Sequence, residues 1–210
     1  LVSYFSIKVK EWLEERKFRQ TFSDKEFQMI DKDLAFSYLL LNPYEISKKF
    51  LRKRGEMDIH QYGETPLLTM DLIARNVNLS SKDHLYELGS GRGRASFFLN
   101  YFYGCKVTGI EWIERFVEKG NKIAKKHCLE VVFQKANFLH SDLSLATVIY
   151  LYGTMLPDSI IFQLCKKIRK GTKVISVSYP LSDYDSKFEV IAQFTARFPW
   201  GEGEVYVNIT

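Results

Sequence analysis

Three glycines alternate with other residues in Glu87-Leu88-Gly89-Ser90-Gly91-Arg92-Gly93. The short apolar run from His84 to Leu88 reads as a strand and the stretch from Arg94 to Tyr103 as a helix, so this loop joins a strand to a helix. Glycine there lets the backbone turn tightly and approach a ligand with no Cβ in the way. The helix beyond offers unpaired N–H groups at its start. Glu111 closes the next apolar run, 22 residues after Gly89, where an acid can accept both hydroxyls of a ribose. A dinucleotide-binding loop would need G-x-G-x-x-G, and counting from Gly89 and Gly91 its third glycine falls on Arg94. Hydride transfer is therefore disfavoured.

The rest of the chain repeats the strand–helix alternation. From about Thr65 onward helices are expected over residues 66–77, 94–103, 113–127 and 159–169. Strands are expected over 84–88, 105–110, 129–134, 146–151 and 173–177. This order predicts a parallel sheet with helices on both faces. Phe188, Val190, Ala192, Phe194, Ala196 and Phe198 then alternate with more polar neighbours, and Val205, Val207 and Ile209 alternate again after Gly201-Glu202-Gly203. Two alternating runs around a turn predict an antiparallel hairpin.

Residues 1–60 have another character, rich in charge and aromatics with one glycine, Gly55. Trp12, Leu13 and Phe18 lie at roughly helical spacing in the charged stretch from Lys10 to Gln20. Ser23 with Glu26 resembles a capping box, and Phe27, Ile30, Leu34 and Tyr38 keep the rhythm of an amphipathic helix. Asn42-Pro43 ends it, and a third helix is expected over residues 44–53. The domain reading is a helical extension over 1–60 and a ligand-binding domain over 61–210.

Composition narrows the class. In 210 residues, 46% are apolar and 26% charged, which suits one globular core and excludes a disordered or low-complexity chain. A net charge of +5 is mild for a dedicated nucleic-acid binder. Three scattered cysteines and four scattered histidines show no disulfide framework and no metal-ligand spacing, and a reducing compartment such as the cytoplasm is expected. No apolar run is long enough to span a bilayer. The chain opens at Leu1, so a membrane anchor could precede it. Lys48-Lys49-Phe50-Leu51-Arg52-Lys53-Arg54, the densest basic run, is a solvated helix face or a contact for a membrane surface or other acidic partner.

The spacing acid-x-G-x-G-x-G over Glu87–Gly93 resembles motif I of the class I S-adenosylmethionine-dependent methyltransferases, and the terminal hairpin is similar to theirs. Tyr62-Gly63-Glu64-Thr65, about 20 residues upstream of the loop, narrows this. It resembles the SET-less histone lysine methyltransferases of the disruptor-of-telomeric-silencing type, together with their smaller bacterial, archaeal and mitochondrial lysine methyltransferase relatives. The likeness runs from about Tyr62 to Tyr179. It implies an α/β, Rossmann-like fold: a seven-stranded, mostly parallel sheet with an antiparallel C-terminal hairpin, here with an N-terminal helical extension. It implies S-adenosyl-L-methionine as cofactor, S-adenosyl-L-homocysteine as product, and in-line methyl transfer to a lysine of a protein substrate.

Site residues follow from the same resemblance. Tyr62, Glu64 and Thr65 would hold the methionine end. Glu87, Gly89, Ser90 and Gly91 would shape the pocket around it. Glu111 would bind the ribose and Trp112 pack on the adenine. Asn137 and Phe138 match an Asp-Phe pair at the adenine amino group. Tyr152 and Tyr179, after the fourth and fifth strands, are the expected walls of the acceptor channel, and no metal is expected. Where the histone enzymes carry an Asn after the fourth strand, this chain has Tyr152 or Gly153. A small molecule, a lipid or RNA as acceptor, or a cofactor-binding module without catalysis, are the alternatives.

Overall fold

The structure, a computed structural model, describes residues 4–210, with side chains from residue 12 onward. Residues 1–3 of the expected extension, and the side chains of Lys10 and Glu11, lie outside the described residues. Helices α1 (Tyr4–Thr21), α2 (Lys25–Ser37), α3 (Pro43–Arg54) and α4 (Leu67–Asn76) precede the sheet. The chain then alternates through β1 (His84–Leu88), α5 (Arg94–Tyr103), β2 (Lys106–Glu111), α6 (Glu114–Lys126), β3 (Val131–Lys135), β4 (Val148–Leu151), α7 (Asp158–Lys167) and β5 (Lys173–Val177). It ends in β6 (Glu189–Phe198) and β7 (Gly201–Ile209).

The seven strands form one sheet in the order β3-β2-β1-β4-β5-β7-β6. Strands β1 to β5 pair in parallel, and β7 inserts antiparallel between β5 and β6. This is the Rossmann-like methyltransferase topology that the resemblance implied. The inner strands bury almost every residue, as helices on both faces require.

The amphipathic reading of α2 holds: Phe27, Ile30, Leu34 and Tyr38 are all buried. They join Phe18 of α1 and Phe98 of α5 in the same apolar core as the sheet. Phe22 packs edge-on against Phe98 and Phe102. Trp12 and Leu13 are exposed, so α1 meets this core mainly through Phe18.

Two local expectations are corrected. The N-cap of α2 is Asp24 rather than Ser23: its carboxylate accepts the N–H groups of Glu26 and Phe27 at 2.9 and 3.0 Å. The terminal hairpin turns at Pro199-Trp200, with Phe198 paired to Gly201, and not at Gly201–Gly203. Pro66 caps α4 from outside instead of standing in its first turn.

Candidate active site

Strands β1 and β4 are neighbours at the centre of the sheet, and their crossovers leave in opposite directions. Ligands of such sheets bind in the crevice outside the carboxyl ends of the strands at this point. The glycine loop emerges there from β1. Gly89, Gly91 and Gly93 all have positive φ, at 79°, 55° and 80°. They serve different ends. A Cβ on Gly93 would stand 2.1 Å from Phe133 Cζ, and Gly109 and Gly120 face the same ring. These three glycines seat Phe133 under the loop. Gly89 has nothing within 4 Å on its Cβ side, and Gly91 faces the ring of Tyr62.

Three acids surround the loop. Glu87, at the end of β1, is buried and accepts the Ser96 hydroxyl at 2.5 Å. Burial pushes its carboxyl up to about 8, with the nearby charges of Glu64 and Glu111 adding to the rise. Glu111, at the end of β2, takes the N–H groups of Gly91 and Ile113 at 2.9 and 2.7 Å. Burial still raises its carboxyl above the usual range. Glu64 is the exception. Burial works against its charged form, but the Arg92 guanidinium outweighs this, with bonds of 2.6 and 2.7 Å, and holds it below the ordinary value. Tyr62 donates its hydroxyl to the same carboxylate.

Tyr62, Glu64 and Arg92 thus form a strap across the loop. The Tyr62 ring lies between Tyr44 and Phe116 and rests on Gly91. A cleft of only about 30 Å³ remains between Gly63–Thr65, Glu87–Ser90, Tyr150 and Tyr152. It adjoins a cavity of about 740 Å³, to which Glu64, Thr65 and Arg94 also belong. The far walls of that cavity are Leu13 to Phe18 of α1, Tyr44, and the hairpin from Arg197 to Glu202.

The residues present fit S-adenosylmethionine. The hydroxyl of Ser90 is buried in the loop without a partner, the glycine cradle admits a close ligand, and three acids converge where a cationic ligand would sit. Thr65, bonded to Tyr150 at 2.6 Å, stands beside them. The cleft must widen to reach the few hundred Å³ typical of ligand sites. Movement of the Tyr62 strap is the means at hand.

The other expected residues are placed as follows. Trp112 is 37% exposed, and Arg54 lies over its ring at 3.9 Å, with Phe50 beside it. The basic run is therefore not one uniform solvated face. Lys49, Arg52 and Lys53 point outward, while Arg54 turns back onto Trp112. Asn137 spends its side-chain oxygen on the Leu139 N–H at 2.9 Å, and Phe138 packs half-buried against the second apolar core. Tyr152 lines the cleft. Its hydroxyl accepts the Trp200 indole N–H at 2.8 Å, and its ring stacks on Phe198. Tyr179 is not brought to Tyr152. It packs with Tyr184 in the second core and donates to the Gly153 carbonyl at 3.3 Å.

Several neighbours escaped the sequence reading. Ser96 and Tyr150 are buried polar partners of site residues, which a helix or strand pattern presents as ordinary core. Phe198 and Trp200 belong to a hairpin far along the chain. Arg94 does not face the cleft as a free cation: it pairs with Asp31 at 2.6 and 2.8 Å and with Glu15 at 3.0 and 3.1 Å, tying α5 to α1 and α2. Among the described residues no group of acids, histidines and cysteines could hold a metal, and no helix is long and apolar enough to cross a membrane.

Comparisons with known proteins agree with this geometry. The family model of the histone methylation protein DOT1 matches residues 46–192. No curated protein sequence matches the chain significantly. Among solved structures, an RNA methyltransferase from Salinibacter ruber in complex with S-adenosyl-L-homocysteine is 26% identical, with a TM-score of 0.58 over 70% of this chain and 93% of that one. MtNAS in complex with S-adenosylmethionine is 15% identical, with a TM-score of 0.58 over 92% of this chain and 76% of that one. A geranyl diphosphate C-methyltransferase from Streptomyces coelicolor A3(2) is 13% identical, with a TM-score of 0.55 over 69% and 78%. The last two likenesses concern the fold alone.

Proposed function

The chain belongs to the DOT1 family of S-adenosylmethionine-dependent methyltransferases, and from that premise we propose that it methylates a lysine side chain of a protein. The observation that carries this reading is the family match itself. It contains both Tyr62–Thr65 and the glycine loop, which the fold packs against each other.

When bound, the cofactor supplies a methyl group on a positive sulfonium. We assign its amino-acid end to Glu64 and Thr65, its ribose to Glu111, and its adenine to Trp112, Asn137 and Phe138. Glu87, Gly89, Ser90 and Gly91 would shape the pocket between them. The cavity of about 740 Å³ is the entrance for the acceptor, and its walls are mostly apolar. An apolar wall lowers the pKa of a lysine by withholding water from its charged form, which frees the nitrogen lone pair. Tyr152, fixed by Trp200 and Phe198, would align that nitrogen. Alignment is the main service such a site provides, because in-line transfer needs distance and direction more than a base. Gly153 stands where the histone enzymes carry Asn, so the proposal names a protein lysine without naming a histone.

A second reading, RNA as acceptor, has the 26% identity to the Salinibacter ruber enzyme in its favour. One experiment separates the two. Purified protein, labelled S-adenosylmethionine and a native cell extract are incubated, and the products are divided into protein, nucleic acid, lipid and small molecules. Methyl-lysine in the hydrolysed protein fraction is the expected result. Label confined to RNA would replace the proposal with the second reading.

A further inference from the structure

Two buried side-chain polar atoms lack a hydrogen-bond partner among the described residues: the Ser90 hydroxyl in the glycine loop and the Tyr38 hydroxyl at the end of α2. Tyr38 is 6% exposed. A buried hydroxyl without a partner is costly, and such a group in a folded protein calls for a reason.

The surroundings of Tyr38 are those of the candidate site. Arg92 lies over its ring at 5.4 Å and Lys119 at 4.9 Å, and Phe116 packs on it at 5.9 Å. Phe116 also touches Tyr62, whose ring covers Gly91. Glu64 and Glu111 are close enough to act on the phenol electrostatically. Lys119 donates to the Ser37 carbonyl, so the segment that carries Tyr38 is fastened to α6. The ring is held from several sides while its hydroxyl is held by nothing.

We propose that Tyr38 is a further cofactor-binding residue, whose hydroxyl donates a hydrogen bond to the ribose side of bound S-adenosylmethionine next to Glu111. The inference rests on the placement of the cofactor over the glycine loop argued above. Tyr38 comes from α2, outside the residues that match the family model, so this part of the helical extension completes the cofactor site. Burial keeps the phenol protonated and hence a donor. Widening the cleft by moving Tyr62 and Arg92 uncovers it, and the bound ligand supplies the acceptor that the closed form lacks.

Tyr38→Phe tests this with two readouts on the full chain: the affinity for S-adenosylhomocysteine by calorimetric titration, and the melting temperature of the cofactor-free protein. The hydroxyl has no partner before binding, so its loss leaves the melting temperature unchanged or raised. The dissociation constant rises about three- to tenfold, as for one lost hydrogen bond. Tyr103→Phe is the control, because that hydroxyl already bonds Asp71 at 2.5 Å. It lowers the melting temperature and leaves the affinity alone. Equal affinity of Tyr38→Phe and wild type overturns the proposal, as does a lowered melting temperature with no change in affinity. If the wild type itself fails to bind, the placement of the cofactor has failed and Tyr38 falls with it.

Discussion

The ring of Tyr62 lies so close to Gly91 that a Cβ on this glycine would stand 3.1 Å from Tyr62 Cε2. The loop most suited to approach a ligand is covered by an aromatic ring from its own chain.

Gly91→Ala meets two penalties at once. Gly91 sits at φ +55°, where an L side chain costs roughly 1–3 kcal/mol, and the new methyl presses on Tyr62. The expected outcome is a lower melting temperature together with at least tenfold weaker binding of S-adenosylhomocysteine, read by thermal unfolding and calorimetry. Gly89→Ala separates the terms. It carries the backbone strain but has open space around the added atom.

Arg92→Met removes the partner of Glu64 and leaves a half-buried carboxylate uncompensated. A loss of roughly 1–3 kcal/mol is expected near neutral pH, below the figure for a fully buried pair. The pH dependence has a definite sign. Glu64 is held below its ordinary 4.5, so its contribution is present above that value and lost as pH falls through the folded-state value. Denaturant unfolding of the two proteins should therefore converge as the pH is lowered below about 4.5. A constant gap down to acid pH would show that Arg92 acts through packing alone.

Glu87 gives the opposite slope. Its carboxyl is raised from 4.5 to about 8, so the folded form binds more protons than the unfolded one between those values. Its contribution to stability therefore falls as pH rises through that window. A cationic ligand favours the ionised carboxylate, so binding at neutral pH releases a proton and affinity climbs with pH up to about 8. Calorimetry in buffers of different ionisation heat measures that proton. Glu87→Gln should abolish the release.

Gly153→Asn would restore the residue type of the histone enzymes, but the site resists it. A Cβ there meets Leu156 Cδ1 at 2.5 Å and Leu151 Cδ1 at 3.2 Å. The Gly153 carbonyl also receives the Tyr179 hydroxyl. Overpacking of about 1–3 kcal/mol is expected, seen as a lower midpoint of denaturant unfolding.

Much of this was legible in the sequence because its signals are local. The runs bounding β1 and α5 are short, apolar and punctuated by glycine, and their expected limits match the structure. The hairpin turn was misread for a physical reason. Gly201 and Gly203 look like turn residues, yet a Cβ on Gly203 would lie 2.3 Å from Trp200 Cη2. That glycine makes room for an indole folded back across the strands, and Pro199-Trp200 take the turn. The acids at the site were found because each sits at a strand end or beside the loop. Their partners were not, because the bonds from Arg92 to Glu64 and from Arg94 to Asp31 and Glu15 join residues 28, 63 and 79 positions apart. No local pattern encodes such pairs.

The account depends most on the cofactor lying over the glycine loop with Glu111 at its ribose. Titration of S-adenosylhomocysteine into the wild type and into Glu111→Ala tests this most directly. Saturable one-to-one binding by the wild type is predicted, with affinity lost by about two orders of magnitude in the variant, as for a charged hydrogen-bonding group with two ligand hydroxyls. Unchanged affinity in a variant that remains folded would contradict the site.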